Sequence, residues 1–558
     1  MKKLLKKSLV FAVAALSLCA FANGAKETKD GVVSSGKSVA ANVKKGSGKA
    51  IVGDIPCTFP IVDKPLTLNV MLVINPKYSA PDNYVWKEYE KMTGIKVNFT
   101  EVPNSSSARK EKIATALASE EPLDLILRGK VSASTLQVYG DQGMIIDFME
   151  NDMLKKYAPN CYAYLMSHPD TLASVMNPDG SIYALPQVNS GAELRVSRKL
   201  FFNKKWLERV GMNVPRTTEE LYKVLKAFKE KDANGNGNPN DEVPLCNQDW
   251  AATQDVFFGA FGISNRGQQN QVVDCDEKTG KARLIAASDG YKKMLQYLNR
   301  LYKEGLLDNE IFTMTAANWT VKAADDRIGC FAFTNLAPLP GGMSDNWVPI
   351  TTPLEGPDGD KLWAPIRANF HSTGNAVIPA TCKHIPEVLK WLDYFWTDEG
   401  TLFYHYGVEG KTFVKLSDGT YDFVDSIKDE MKNNSFDDIA AKYVPYVGGS
   451  NPTVEIAPYF GGGEVQPIPA AAARALFPYG PKEYWPSFTF TSDESAELNP
   501  IQVDINKYTT SARSEFITGT KSFDTWDAYI KGLKNMKLDT MLGIYQNAID
   551  RYHELIKK

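Results

Sequence analysis

A chain of 558 residues with 43% apolar and 11% aromatic side chains can build a large core, which excludes the disordered, collagen-like and small disulfide-stapled classes. Lys and Arg number 63 against 66 Asp and Glu, a net charge of -3, which argues against a nucleic-acid binder driven by phosphate contacts. At ~100 to 200 residues per domain, the length predicts two or three compact units.

The chain starts like a secretion signal: Lys2, Lys3, Lys6 and Lys7 precede an apolar stretch from Leu9 to Leu18 that is too short to span a bilayer. Ala20, Phe21 and Ala22 fit a small-x-small cleavage site, which makes residues 1–22 a signal peptide. With four lysines and no acid in it, removal moves the charge from -3 to -7. Leu16 to Cys19 also resembles a lipobox, with Leu18 where Gly, Ala or Ser is usual, so Cys19 is a candidate for lipidation. Residues 23–65 begin with a Gly-, Ser-, Lys- and Ala-rich run expected to act as a flexible tether. The location expected is extracytoplasmic, periplasmic or lipid-anchored at the membrane.

Leu66 to Ile74 has the length and apolarity of a strand, and a helix is expected from Asn83 to Thr93, stopped by Gly94. Ile95, Val97 and Phe99 alternate as a second strand, Arg109 to Ser119 reads as a helix, and Leu123 to Leu127 as a third strand. This β-α-β-α-β order predicts a parallel sheet with ligands at its carboxyl edge. A second α/β block begins near Leu194. Its clearest helix follows Pro215, with Thr217 and Glu220 at capping-box spacing and Leu221, Val224, Leu225 and Phe228 on one face.

That helix runs into a stretch, residues 232–242, that places Asp232, Asn234 and Asn236 at positions one, three and five of an EF-hand-like loop, with Gly237 at six. Position twelve is Val243, so Asp241 or Glu242 has to close the shell. With Asn238 these residues form a candidate structural Ca2+ site, and the competing reading is a solvated Asn/Gly turn. Six cysteines beyond the leader (Cys57, Cys161, Cys246, Cys275, Cys330, Cys382) include no Cys-x-x-Cys pair, which leaves one or two disulfides plus buried thiols. Residues 446–490 are rich in Gly, Pro and aromatics, and Ile505 to His553 is amphipathic and helical. Gly410-Lys411-Thr412 is not a P-loop, because His405 stands where that motif needs a Gly, and no His-Glu-x-x-His or Gly-x-Ser-x-Gly motif occurs. Ten Trp and 25 Tyr offer faces suited to sugar rings, and equally to cores.

Three sets of motifs resemble the extracellular solute-binding proteins of family 1, the sugar-binding components of ABC importers, in their long lipoprotein-type branch. They are Ser181 to Pro186 (SIYALP) with Leu200 to Leu207 (LFFNKKWL) and Gly211 to Thr217 (GMNVPRT); Pro386 and Glu387 with Leu392 to Gly400 (LDYFWTDEG) and Tyr406 to Thr412 (YGVEGKT); and Phe516 to Gly519, Trp526 to Tyr529 and Tyr545 to Arg551. The match covers most of the mature chain, and the 232–242 loop is similar to a calcium loop of polysaccharide-binding members.

The resemblance implies an α/β, two-lobed, periplasmic-binding-protein-like fold (type II) that is not an enzyme. The chain is expected to cross between lobes three times, near Gln187 to Glu193, Trp363 to Arg367 and His405 to Lys411. Lobe one is then 66–186 and 368–405, and lobe two 187–367 and 406–558. Ligand held in the cleft stabilises a hinge-closed state that a membrane permease recognises. Candidate ligand-binding residues are Tyr78, Arg128, Gln187, Asn189, Arg367, Asn369 and His371 at strand ends and crossings, Trp250, Trp319 and Trp347 as sugar platforms, and Glu409 near the third crossing. The expected function is delivery of an oligosaccharide or related polar solute to an ABC importer. A secreted glycan-degrading hydrolase or lyase is the alternative, and a ligand-presenting sensor a third reading.

Overall fold

The computed structural model describes residues 50–557 except 120, 239, 340–342, 433, 435 and 446–448. The leader, Cys19 and the tether as far as residue 49 lie outside the described residues. The last part of the expected tether is not free: Ile51 and Val52 N–H groups donate to the Asp398 carboxylate, Ile55 N donates to Asn160 Oδ1 at 2.9 Å, and Phe59 meets the Tyr394 ring edge-on. Residues 55–62 carry enough apolar side chains to pack, which the Gly/Ser-rich part before them lacks.

The strands are β1 (Leu66–Ile74), β2 (Ile95–Pro103), β3 (Leu125–Leu127), β4 (Leu185–Ser190), β5 (Lys199–Asn203), β6 (Val243–Leu245), β7 (Val273–Asp276), β8 (Lys281–Leu284), β9 (Ile328–Phe333), β10 (Trp347–Pro349), β11 (Ser372–Val377), β12 (Phe413–Lys415), β13 (Tyr421–Phe423) and β14 (Val454–Ile456). A six-stranded sheet runs β14-β4-β11-β3-β1-β2 and a four-stranded sheet β10-β5-β9-β6. In the first, β1 pairs parallel with β2 and β3, β14 pairs parallel with β4, and β11 is antiparallel to both neighbours. The first residues of β11 therefore lie at the same edge as the carboxyl ends of β1, β3 and β4.

Local chemistry explains the framing helices. Asn83 caps the helix Tyr84–Thr93 by accepting from Val85 and Trp86 N–H groups, and Gly94 ends it at φ 75°, a left-handed conformation suited to glycine. Thr217 caps Thr218–Glu230 by accepting from Glu220 N, worth about 1 kcal/mol. The box does not close, because Glu220 Oε2 accepts from Arg216 N and not from Thr217 N. The long C-terminal helix begins at Ser492, earlier than expected, with Thr491 and Glu494 forming a reciprocal capping box.

Two principal cores result, each around one sheet. One gathers Leu68, Val70, Leu125, Leu185, Trp391 and Phe395, and the other Leu200, Phe202, Trp206, Phe228, Leu298, Trp363 and Phe516. The chain leaves the first core after Leu194, enters the second at Val196, returns between Ile366 and Phe370, and passes over again between Phe460 and Ala473. Residues 406–460, expected in lobe two, pack on lobe one: Tyr406, Phe413, Phe423, Ile427, Ile439 and Val454 share its core. The expected passage at His405 to Lys411 is instead the buried end of the helix Asp398–Tyr406 and the turn after it. Strand order decides this, since β14 pairs with β4 and holds the preceding segment on the first sheet. All six described cysteines are free thiols, in place of the expected disulfides. No helix among the described residues is long and apolar enough to cross a membrane.

Candidate functional site

At the carboxyl edge of the six-stranded sheet, the turn after β3 carries Arg128 and Lys130, both with positive φ (60° and 48°). Arg128 N donates to Asn375 O and Val131 N to Gly374 O, which fixes this turn against the irregular start of β11. Gly374 is needed there: its φ is +67°, and a Cβ would run into the Val131 backbone. Arg128 reaches across to donate from Nε and Nη2 to Gly449 O at 3.2 and 2.9 Å.

Gln187 is buried at the centre. Its Oε1 accepts from Ser450 N and from Asn451 N at 3.1 Å, its main-chain oxygen accepts from His371 N at 2.9 Å, and its amide meets that of Asn189 at 2.9 Å. Register places Asn189 beside Glu455 of β14. Asn451 Nδ2 donates to Glu455 Oε1 at 3.1 Å, and His405 Nε2 lies 3.8 Å from the same oxygen.

The segments that join the cores meet at Arg195 and Arg367, and Arg367 Nη1 donates to His371 Nδ1 at 2.7 Å. Accepting at Nδ1 leaves the His371 proton on Nε2. Burial, then Arg367 and Lys130, hold the His371 pKa well below the ordinary value, so the ring is neutral; burial and the nearby Arg198 lower Arg367 to about 10.

The second lobe contributes Arg198 and Lys199 at the start of β5. Lys199 is wholly buried and donates from Nζ to Thr334 O at 2.7 Å, its pKa lowered by burial against the pull of Glu464. Asp255 is buried too; Gln268 and Gln271 donate to its two oxygens at 2.6 and 3.2 Å, and Arg198 Nε stands 3.9 Å away. Burial outweighs these partners and raises the Asp255 pKa to about 7.

Of the residues picked out from the sequence, Arg128, Gln187, Asn189, Arg367 and His371 come together on this floor. Tyr78 lies beside it, donating from its hydroxyl to Asp438 Oδ1 at 2.8 Å. Asn369 turns away and donates from Nδ2 to the Tyr164 hydroxyl at 3.2 Å. Glu409 is exposed in the turn before the β12-β13 hairpin, where Gly410 N bonds Phe413 O, so it adds nothing to the floor.

The tryptophans are core residues and not open platforms. Trp319 (1% exposed) and Trp347 (3%) pack edge-on against Phe331, and Trp319 Nε1 donates to Cys246 O at 2.9 Å. Trp250 is stacked on Phe312 with Arg513 over its ring. Each ring is the largest apolar body available at its position, and burial claims it. The floor also holds residues that the sequence reading passed over: Lys130, Arg195, Arg198, Lys199, Asp255 and Glu455. Arg198 and Lys199 adjoin the LFFNKKWL motif, which was a usable signal; Asp255 sits mid-helix and carried none.

The 232–242 loop is drawn together by its own side chains. Gly237 N donates to Asp232 Oδ2, Asn236 N to Asn234 Oδ1, Asn238 N to Asn236 Oδ1, and the Asn234 and Asn236 amides donate to the two Asp241 oxygens at 3.1 and 2.8 Å. No cluster of three or more His, Cys, Asp or Glu at metal-binding spacing occurs among the described residues. Asp232 Oδ1 and both Glu242 carboxylate oxygens are nonetheless buried without a hydrogen-bond donor, and Glu242 is only 8% exposed. Orphaned, buried carboxylate oxygens in an Asp/Asn-rich loop fit a hard cation.

Residues 74–401, more than half of the chain, match the model of the bacterial extracellular solute-binding proteins. The chain belongs to that family. The family is one of solute-binding proteins, which supports solute capture over the glycan-degrading alternative. The fructooligosaccharide ABC transporter substrate-binding protein FusA of Streptococcus pneumoniae is 27% identical over 518 residues, 89% of this chain and 92% of FusA. A solved structure of FusA in complex with kestose superposes with a TM-score of 0.72 at 25% identity, over 88% of this chain and 99% of that one. An EF-hand mutant of FusA in complex with fructo-nystose gives 0.71 at 25% identity with the same coverage. These likenesses give the chain the two-lobed architecture of solute-binding proteins that serve ABC importers.

Proposed function

We propose that this protein captures an oligosaccharide on the polar floor between its two lobes and delivers it to the permease of an ABC importer. The observation that carries this reading is the convergence of Arg128, Gln187, His371 and Arg367 from lobe one and the connecting segments with Arg198 and Asp255 from lobe two. Contacts to both lobes favour the closed state by the difference between the ligand's affinities for closed and open forms. Segments 190–196 and 366–370, bonded to each other, act as the hinge, and the lobe boundaries follow the two cores. FusA, which takes a fructooligosaccharide, supports the choice of ligand class.

The 232–242 loop holds a structural Ca2+ through Asp232, Asn234, Asn236, Asn238, Asp241 and Glu242. The ion supplies charge balance for the orphaned carboxylate oxygens and a fixed link from the helix Thr218–Glu230 to β6. An EF-hand in FusA supports this reading. Cys19 and the basic leader support export and attachment through lipid.

A thermal-shift screen of residues 50–558 against oligosaccharides, with recovery of each stabilising sugar for analysis, tests the function. Sugar recovered intact is the expected result. Conversion of the sugar, or silence across the panel, overturns it.

A further inference from the structure

We propose that the site selects a saccharide carrying an anionic group, carboxylate or sulfate, which binds between Lys130 and Arg367; this rests on the oligosaccharide reading above. The juxtaposition is geometric. The turn bearing Lys130 is pinned to β11 at Gly374 and Asn375, while His371, just before β11, accepts a hydrogen bond from Arg367. A Cβ on Gly449 would lie 3.5 Å from His371 Nε2 and 3.9 Å from Gln187 Oε1, so Gly449 keeps the approach to these groups open.

The charge accounting is asymmetric. The carboxylates that act on Arg367 are Asp255, Glu464 and Glu455. Asp255 is held by Gln268 and Gln271, Glu455 by Asn451, and Glu464 feels the field of Lys199 with no ion pair to it among the described residues. On the outer side, Asp438 is bridged to Lys77 at 2.5 Å and accepts from Tyr78. Among the described residues neither Lys130 nor Arg367 has a carboxylate within ion-pair distance, although both are partly withdrawn from water. Burial, then the field of Arg128 and Arg109, lowers the Lys130 pKa to about 8.

Both cations act on His371, and half-buried cations without an ion pair are suited to a ligand that supplies the counter-charge. Arg367 has spent one N–H on His371 and keeps others for a second acceptor, and neutral His371 offers Nε2–H. Lys130, Arg367 and His371 together thus present donors alone, two of them charged.

Isothermal titration calorimetry tests the assignment with trigalacturonate, its methyl ester, maltotriose, 6-O-sulfated maltotriose and 1-kestose, each at low and moderate salt. The expected result is that a charged sugar binds at least tenfold more tightly than its uncharged counterpart and weakens with salt. Trigalacturonate identifies carboxylate as the group, and the sulfated sugar identifies sulfate. Lys130→Met is expected to remove most of that preference without lowering the unliganded Tm, and Lys130→Arg to restore it. Equal binding of charged and uncharged partners, or binding of 1-kestose alone, overturns the anionic preference and leaves the oligosaccharide reading standing. Binding of none of the five overturns both.

Discussion

Arg195 and Arg367 are joined by a reciprocal pair of hydrogen bonds: Arg367 N donates to Arg195 O at 2.9 Å, and Arg195 Nε donates to Arg367 O at 2.8 Å. Two of the three segments that connect the cores are thereby tied to each other, and Ser197 N adds a bond to Pro365 O beside them, which makes this pairing the candidate pivot between the lobes. Arg195 is also stacked against the Tyr484 and Phe477 rings, at 4.5 and 5.1 Å. Arg195→Ala removes a hydrogen bond and a cation–π contact and is expected to lower stability by about 2 kcal/mol. Arg195→Lys keeps the charge, loses the fixed fork and recovers only part of it. Urea unfolding measures both; a parent-like midpoint in the alanine variant removes the tie from the hinge.

Asp255 predicts a pH dependence. Its folded-state pKa, about 7, lies above its ordinary 3.8, so the folded protein holds this proton more tightly than the unfolded chain. The resulting stability is fully present below pH 3.8 and is lost as pH rises through 7. Asp393, raised to about 6 by burial, contributes with the same sign, so Asp255→Asn is compared with the parent at each pH. The parent's stability relative to the variant should fall by on the order of 1 to 3 kcal/mol between pH 4.5 and 8. A constant difference in thermal unfolding across that range contradicts the assignment.

The orphaned oxygens of Glu242 predict a response to metal. Calcium at 100 times its dissociation constant should stabilise the parent by about 2.7 kcal/mol over an EDTA-treated sample. Glu242→Gln and Asp232→Asn should each shrink that increment. Identical melting in EDTA and in calcium chloride would return the loop to a solvated turn.

Trp319 and Trp347 separate core from ligand platform. Trp319→Ala should cost about 3 to 5 kcal/mol by creating a cavity and stranding the Cys246 carbonyl. Trp347→Phe should cost less. In both, the folded fraction is expected to bind sugar with parental affinity in calorimetry, and a selective loss of affinity contradicts the core assignment.

Gly374→Ala places a Cβ against the Val131 backbone at φ +67°. The expected cost exceeds about 1 kcal/mol, and displacement of the Arg128 turn should weaken ligand binding as well. Urea unfolding combined with calorimetry reads both effects, and an unchanged affinity would uncouple the turn from the site.

The sequence by itself determined the elements whose signals are local. β1 matches the apolar run from Leu66 to Ile74, Gly94 ends its helix because a left-handed residue is needed there, and Thr217 caps as its spacing requires. Strand ends were legible for the same reason, which pointed to Arg128, while the crossings implied by the family resemblance pointed to Gln187, Asn189, Arg367 and His371; the fold brings these five together on one floor. Family motifs extended this to two lobes.

Only the tertiary structure decided what depends on long-range pairing. β14 bonds to β4 more than 250 residues away, and that pairing moves 406–460 onto lobe one and leaves Glu409 on an outer turn. Side-chain direction is likewise not local: Trp319 and Trp347 are drawn inward by Phe331 of β9, and Asn369 is turned aside by Tyr164. Lys130 became conspicuous once the fold showed which cations lack a carboxylate. Composition counts charges, whereas pairing them requires the distances that the chain reaches only when folded.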